Sequence, residues 1–310
     1  MTGIRNTLAS INPQMLFLGV GTVLCGTGAA AIHGNLVILV AILSLLFAIF
    51  AQLCGSFVHR YIDMRRNYKE YLQVNKEFAG ESMSVVAEIR KAAATAMFLI
   101  AATIGITLVG LSGWWALVVG VLVILISWLY YAGRSPLSRT SADTVPPILI
   151  FGPVGVIGTM MAQAGATPGE VWGWYYFSPG LFAGFACGFL AANVQLAFDF
   201  TFYERDKNNG KNTFCVRHGK TAAQRLSVIN GIIALALMVA YGTLQDVRAP
   251  FLISLPAIIS MAGALCCGML MRCDRRELDR LIALIAVATV AIFGLLVCVI
   301  GIMLGDIDML

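Results

Sequence analysis

The chain of 310 residues is 59% hydrophobic and 12% charged, with a mean hydropathy of +0.84. That composition excludes a soluble globular domain and specifies a polytopic membrane protein. Its formal net charge of +5 follows from where basic residues sit around a bilayer and gives no sign of nucleic-acid binding.

Apolar runs near the ~20 residues needed to cross a bilayer predict an all-α bundle of nine spans, at roughly 13–32, 35–58, 92–111, 114–131, 146–164, 174–197, 223–243, 250–271 and 281–304. No sizeable soluble part remains, so residues 1–310 read as a single integral membrane domain. The first run follows one basic residue, Arg5, and is long enough to span, which predicts a retained helix and not a cleaved signal. With the N-terminus cytoplasmic, every Lys and Arg except Arg248 falls on an inner segment, and Asp306 and Asp308 end an outer C-terminus. The positive-inside rule therefore predicts an N-in, C-out protein of the cell (plasma or inner) membrane. Trp114, Trp115, Trp172 and Trp174 fall at outer helix ends, where an interfacial aromatic belt places them.

Two inner segments, 59–91 and 198–222, read as long polar loops, each following a helix that turns polar before it leaves the membrane. The other loops are short, so the working face is expected on the cytoplasmic side, around a central cavity open there. On the second span Gln52, Ser56, His59 and Asp63 fall at i, i+4, i+7 and i+11; on the sixth, Gln195, Asp199, Phe202 and Asp206 repeat those offsets. Such spacing puts each set on one helical face. Polar groups in a bilayer are costly, so the stripes are expected to face a cavity or each other. Gln52, Ser56 and Gln195 read equally well as groups that bind helix to helix. Asp63, Asp199 and Asp206 lie near the inner interface, where a solvated carboxylate costs little.

Carboxylates on facing helices, with Lys and Arg in the adjoining segments, suit a polyanion held through divalent cations. Magnesium takes oxygen ligands and bridges carboxylates to phosphate oxygens, and basic side chains neutralise the rest. A lipid diphosphate fits that pattern, its head at the inner mouth and its tail in the apolar bundle. Other features have plainer readings. The eight cysteines lie mostly in apolar runs without metal-like spacing and read as packing. His33 falls in an outer turn, and Asn208-Asn209-Gly210 reads as a turn. His218, beside Gly219, carries no catalytic signal. Arg272, Arg275, Arg276 and Arg280 are explained by topology and anionic lipid.

The string Asp206-x3-Gly210-Lys211-x-Thr213-x2-Val216-Arg217-x-Gly219 joins the polar stripes on spans two and six. Tyr131-x-Gly133-x2-Pro136-Leu137 follows span four, and Phe151-Gly152-Pro153-Val154-x-Val156-x-Gly158-Thr159 lies in span five. In these features the chain resembles the UbiA superfamily of intramembrane aromatic prenyltransferases over most of its length, nearest its MenA-type branch, which prenylates 1,4-dihydroxy-2-naphthoate on the way to menaquinone. The resemblance implies transfer of a polyprenyl group from a polyprenyl diphosphate to an aromatic quinone precursor, with magnesium as cofactor. It implies catalytic Asp63, Asp199 and Asp206, metal ligation by these three and Glu204, and substrate binding by Ser56, His59, Arg60, Tyr131, Arg139, Lys207, Lys211 and Arg217.

The chain departs from that pattern at two places. Where the family has an Asn-Asp-x2-Asp motif, it has His59-Arg60-x2-Asp63; where the second motif has paired Asn and then Asp, it has Phe198, Asp199 and Phe202. Two readings follow. In one, Arg60 replaces a metal ion by pairing with diphosphate, since a guanidinium matches phosphate oxygens in a bidentate way. In the other, the metal sites have decayed, and a catalytically impaired paralogue binds quinone or polyprenyl lipid as a scaffold or accessory subunit. In an active enzyme, Phe198, Phe200, Phe202 and Tyr203 are positioned in sequence to shield an allylic cation by cation–π contact, although aromatic packing explains them as well.

Overall fold

A computed structural model describes residues 16–66, 83–131, 136–165, 174–244, 250–273 and 276–308. Within these, the side chains of Asp63 and Trp174, among others near segment ends, lie outside the described set. The described residues form helices and turns, with no strand among them. They comprise α1 (Leu16–Ala31), α2 (Ile38–Arg66), α3 (Met83–Ser112), α4 (Trp115–Tyr131), α5 (Val145–Gly165), α6 (Trp174–Thr201), α7 (Tyr203–Asn208), α8 (Phe214–His218), α9 (Lys220–Leu244), α10 (Pro250–Cys273) and α11 (Asp279–Asp308).

Seven of these helices are long and apolar enough to cross a membrane: α2, α3, α5, α6, α9, α10 and α11. The other two apolar helices, α1 and α4, are shorter, at 16 and 17 residues. Each predicted span thus coincides with a helix, while only seven meet the length and hydropathy of a full crossing. The expected loop 59–91 needs correction, because α2 continues to Arg66 and α3 already begins at Met83. Arg, Lys and Glu are good helix formers, so a spanning helix runs on once its residues turn polar. The stretch 198–222 is likewise not an open loop: it holds the end of α6 and both α7 and α8.

Two seams give the bundle its close packing. Along α1 and α11, a Cβ on Gly294 would collide with the Gly21 carbonyl, one on Gly301 with the Gly28 carbonyl, and one on Gly305 with the Ala31 carbonyl. Lipid is as apolar as a helix surface, so helices associate through such close backbone approach and not through a hydrophobic drive. The second seam joins α5 to α6, where a Cβ on Gly152 would lie 2.9 Å from the Gly184 carbonyl. Here α5 widens into a π turn over Ile150–Val154, with Gly152 non-helical and Pro153 unable to donate. The hydroxyl of Thr22 on α1 lies 3.0 Å from the Phe151 carbonyl and donates to it, which satisfies a backbone group loosened by the break.

α6 is the central helix. Ala183, Ala186, Cys187, Leu190, Ala191, Val194, Leu196 and Ala197 are all buried, so it is covered around its circumference. α1, α5, α9 and α11 pack on it. It carries Gln195 and Asp199 on its last turns and ends where the Thr201 hydroxyl donates to the Ala197 carbonyl at 2.8 Å. Such back-bonding bends helices, and Phe202 leaves helical geometry at φ −99°, ψ 17°. The chain still hydrogen-bonds into the kink, from the Phe202 amide to the Phe198 carbonyl at 2.9 Å, and out of it, from the Asp206 amide to the Phe202 carbonyl at 2.9 Å.

Candidate active site at the polar ends of the central helices

The polar residues converge where α4, the α4–α5 connection, α6, α7 and α8 meet. On α4 the Tyr130 hydroxyl donates to Gln195 Oε1 at 3.0 Å. Gln195 Nε2 donates onward to Asp199 Oδ1 at 2.9 Å. Asp199 is 3% exposed, and its Oδ2 has no hydrogen-bond partner among the described residues. Its carboxyl comes within hydrogen-bonding reach of Asp143, which enters from the turn before α5.

Asp143 is 0% exposed, and neither of its carboxylate oxygens has a partner with hydrogen-bond geometry among the described residues. The Thr144 and Phe214 amides flank it without reaching that geometry. Burial holds the Asp143 carboxyl above the usual carboxylate range, while Asp199 and the flanking amides pull the other way. A buried thiol shares this surrounding: Cys215 on α8 is pushed up to about 12, by burial first and then by the Asp199 charge. A thiol held that high is not a nucleophile, which fits the packing reading of the cysteines.

A second cluster lies seven residues further on, beyond the Phe202 kink. Asp206, 4% exposed, pairs with Lys211 Nζ at 3.3 Å and with Arg205 Nη2 at 3.4 Å. Lys211 is 7% exposed, so this is a buried ion pair, which persists only where geometry compensates desolvation. Chain geometry does so: the Lys211 amide donates to the Asp206 carbonyl at 2.9 Å and closes a turn in which Gly210 takes φ +62°. The predicted Asn208-Asn209-Gly210 turn is this closure. Thr213 then caps α8, its hydroxyl accepting from the Val216 amide at 3.4 Å.

The two predicted basic residues nearest these clusters hold the segments together. Arg139 donates to the Asn209 carbonyl at 2.9 Å, and its own carbonyl accepts from the Asn212 amide at 2.9 Å. Arg217, exposed on α8, donates to Ser141 Oγ at 3.2 Å. Together they tie the α4–α5 connection, and so Asp143, to the α7–α8 turn. Glu204 and Lys207 are exposed on α7, and Lys207 Nζ lies 5.9 Å from the Tyr203 ring centroid. Arg205 sits 4.0 Å over Phe202, and Lys220 sits 4.9 Å over Phe200, so three of the aromatic residues at this end, Tyr203 included, already face a protein cation.

On α2, Ser56, His59 and Arg60 are half-buried. Ser56 Oγ donates to the Gln52 carbonyl at 2.9 Å. The His59 ring lies 5.2 Å from Tyr131, which also borders Gly55. The Arg60 carbonyl accepts from the buried Arg90 at 3.2 Å. The side chain of Asp63 lies outside the described residues. Among the described residues no three of His, Cys, Asp and Glu stand close enough to hold a metal ion unaided.

Sequence reasoning passed over Asp143, Tyr130, Arg90 and Arg205. Asp143 is preceded by Thr-Ser-Ala and followed by Thr-Val-Pro-Pro, which reads as an ordinary helix start. The available signal was rarity, since Asp143 and Glu170 are the only acids between Tyr131 and Asp199.

Comparison with known proteins gives the family and the fold. Residues 19–283 match the model of the UbiA prenyltransferase family. The chain is 27% identical over 244 residues to the 1,4-dihydroxy-2-naphthoate octaprenyltransferase of Mycobacterium tuberculosis, covering 77% of this chain and 80% of that one. Its fold is similar to that of a UbiA homolog from Aeropyrum pernix K1, with a TM-score of 0.67 at 16% identity, covering 97% and 100% of the two chains. A UbiA homolog from Archaeoglobus fulgidus bound to DMAPP and Mg2+ is similar with a TM-score of 0.53 at 15% identity, covering 93% and 99%.

Proposed function

The chain belongs to the UbiA prenyltransferase family, and from that premise we propose that it transfers a polyprenyl group from a polyprenyl diphosphate to a dihydroxynaphthoate-like acceptor in menaquinone biosynthesis. The observation that carries the reading is the buried polar end of α6, where Asp199 and the Asp206–Lys211 pair stand within a bundle whose outer helices are apolar. A lipid whose charged head sits there has its tail in apolar surroundings throughout. The similarity to a curated dihydroxynaphthoate octaprenyltransferase supports the choice of acceptor.

The residues fit magnesium. Asp199 Oδ2 is a buried carboxylate oxygen without a partner among the described residues, and a hard cation with oxygen ligands is what such a group accepts. Asp199 would hold it, with Asp63 and Asp206 as the further carboxylates that the family resemblance assigns, and the DMAPP- and Mg2+-bound structural neighbour supports the choice of ion. Bound there, the ion supplies electrostatic stabilisation of the negative charge that gathers on the departing diphosphate.

The chain's own residues do the rest. Lys211 and Arg205, paired with Asp206, and Arg217, bonded to Ser141, set positive charge around the proposed diphosphate site, and Arg139 fixes the α4–α5 connection against the α7–α8 turn. Tyr131 and His59 line the approach on the α2 side. The C1–O bond of the prenyl diphosphate breaks, diphosphate leaves with the electron pair, and a ring carbon of the acceptor bonds to C1. Rearomatisation then expels the group on that carbon, a proton or the carboxyl as carbon dioxide. The surrounding apolar helices keep water from capturing the allylic cation. We place the N-terminus and this site on the cytoplasmic side and the C-terminus outside, with residues 1–310 as one domain.

Phe202 in place of a carboxylate, its ring covered by Arg205, favours the second reading, a paralogue that binds quinone or polyprenyl lipid without turnover. Purified protein in nanodiscs, given geranylgeranyl diphosphate and dihydroxynaphthoate with magnesium or with EDTA, separates the two. Product that forms only with magnesium establishes the transferase; lipid binding without product across several acceptors establishes the paralogue.

A further inference from the structure

We propose that Asp143, from the connection between α4 and α5, is a ligand of the divalent cation together with Asp199, forming a carboxylate pair that neither aspartate-rich segment of the sequence contains. The inference rests on the prenyl diphosphate reading above, because it assigns the cation that would accompany that substrate.

Three buried oxygens, Asp143 Oδ1, Asp143 Oδ2 and Asp199 Oδ2, have no hydrogen-bond partner among the described residues, on side chains 0% and 3% exposed. Buried polar groups are normally satisfied, and two carboxylates in contact cannot both carry charge without a positive species between them. A shared proton forms one O–H···O bond and leaves one of the three oxygens orphaned. A divalent cation has room for all three. The donor set is all oxygen, as magnesium and manganese prefer.

Neighbouring groups aim the pair. Tyr130 and Gln195 commit Asp199 Oδ1 to the protein and leave Oδ2 without a hydrogen-bond partner among the described residues. Arg139 and Arg217 clamp the α4–α5 connection to the α7–α8 turn, which holds Asp143 in place. Phe202, its ring against Arg205, offers no oxygen on the same turn of chain. No third His, Cys, Asp or Glu among the described residues completes the shell. Magnesium commonly keeps water and substrate phosphate oxygens beside one or two carboxylates, so a two-carboxylate site calls for a diphosphate partner.

The test is Mn2+ binding to the full chain in nanodiscs, read by electron paramagnetic resonance with and without inorganic pyrophosphate. Asp143→Asn keeps the shape of the side chain, and its folding is checked by its unfolding temperature; Asp143→Ser serves if the first variant does not fold. Mn2+ affinity is expected to fall at least tenfold in either, on the order of ligand-shell losses in other metal sites, and pyrophosphate is expected to tighten binding in the wild type. Unchanged affinity in a folded variant overturns the assignment, as does a wild type that binds no Mn2+. If that happens while the wild type still makes magnesium-dependent product, only this inference fails. A wild type without product whose Mn2+ affinity still drops on Asp143→Asn keeps the cation site and loses the prenyltransferase reading.

Discussion

The seam between α1 and α11 and the polar end of α6 solve opposite problems. At the seam, side chains are removed: Gly21, Gly28, Gly294 and Gly301 let two backbones touch. At the polar end, charged side chains are buried and each needs a partner, as Asp206 finds in Lys211 at 3.3 Å. Both regions lean on α6, since α1 and α11 pack against it while its last turns carry Gln195 and Asp199. The difference teaches that close backbone packing and buried charge are kept apart in this bundle.

Three substitutions break that comparison at different points. The largest effect is expected from Asp206→Ala. It removes a charge from the proposed diphosphate site, so prenyl transfer should fall by about 100-fold or more. It also strands Lys211 in a buried setting, which costs about 3 kcal/mol. Turnover and detergent unfolding measured on the same sample check both halves; unchanged turnover would remove Asp206 from the reaction. Next comes Gly301→Leu, which pushes a side chain into the Gly28 carbonyl. Overpacking of this kind costs about 3 kcal/mol, yet turnover per folded molecule should stay near wild type. If it falls as steeply as in Asp206→Ala, seam and site are one unit and the separation is wrong. A smaller effect is expected from Arg60→Asp. It restores a carboxylate where the α2 segment has a guanidinium, so the magnesium concentration needed for half-maximal transfer should rise, and an unshifted magnesium curve would end the idea that Arg60 substitutes for an ion.

The helices are legible in the sequence, the glycine seam that joins α1 to α11 is not, and the site is legible in part. Apolar runs locate the long helices of the described residues, because a bilayer crossing needs about 20 apolar residues, although α1 and α4 fall short of that length. The α2 and α6 stripes are legible because helical periodicity fixes which residues share a face. Asp143 is not, because its meeting with Asp199 joins two segments 56 positions apart through tertiary packing that no local pattern encodes. The pairing of Lys211 with Asp206 was hidden for a related reason. The same five-residue interval that reads as a basic residue free for phosphate also closes a turn at Gly210, and the turn folds lysine back on aspartate. The helical extensions of α2 to Arg66 and of α3 back to Met83 escaped because hydropathy marks where a membrane ends and not where a helix does.

The smallest expected effect gives the finest division between holding and reacting. Tyr130→Phe deletes one hydroxyl, the donor to Gln195 Oε1 at 3.0 Å, and touches neither carboxylate. A single hydrogen bond of this kind is worth about 1 kcal/mol, so the folded protein should be barely weakened. Without Tyr130 the Gln195 amide is free to turn, and Asp199 Oδ1 loses the donor that fixes its carboxyl plane. If Asp199 works by presenting Oδ2 to a cation, loss of orientation should appear as a rise of several-fold in the magnesium concentration needed for half-maximal transfer, with the rate at saturating magnesium nearly unchanged. If Tyr130 itself contacted the reacting groups, the saturated rate would fall and magnesium would not restore it. Gln195→Leu should reproduce the magnesium shift, because it removes the same orientation one step nearer the carboxylate. A Gln195→Leu variant with a wild-type magnesium curve would show that Asp199 is positioned by its neighbours on α6 alone and that the relay from α4 is only packing.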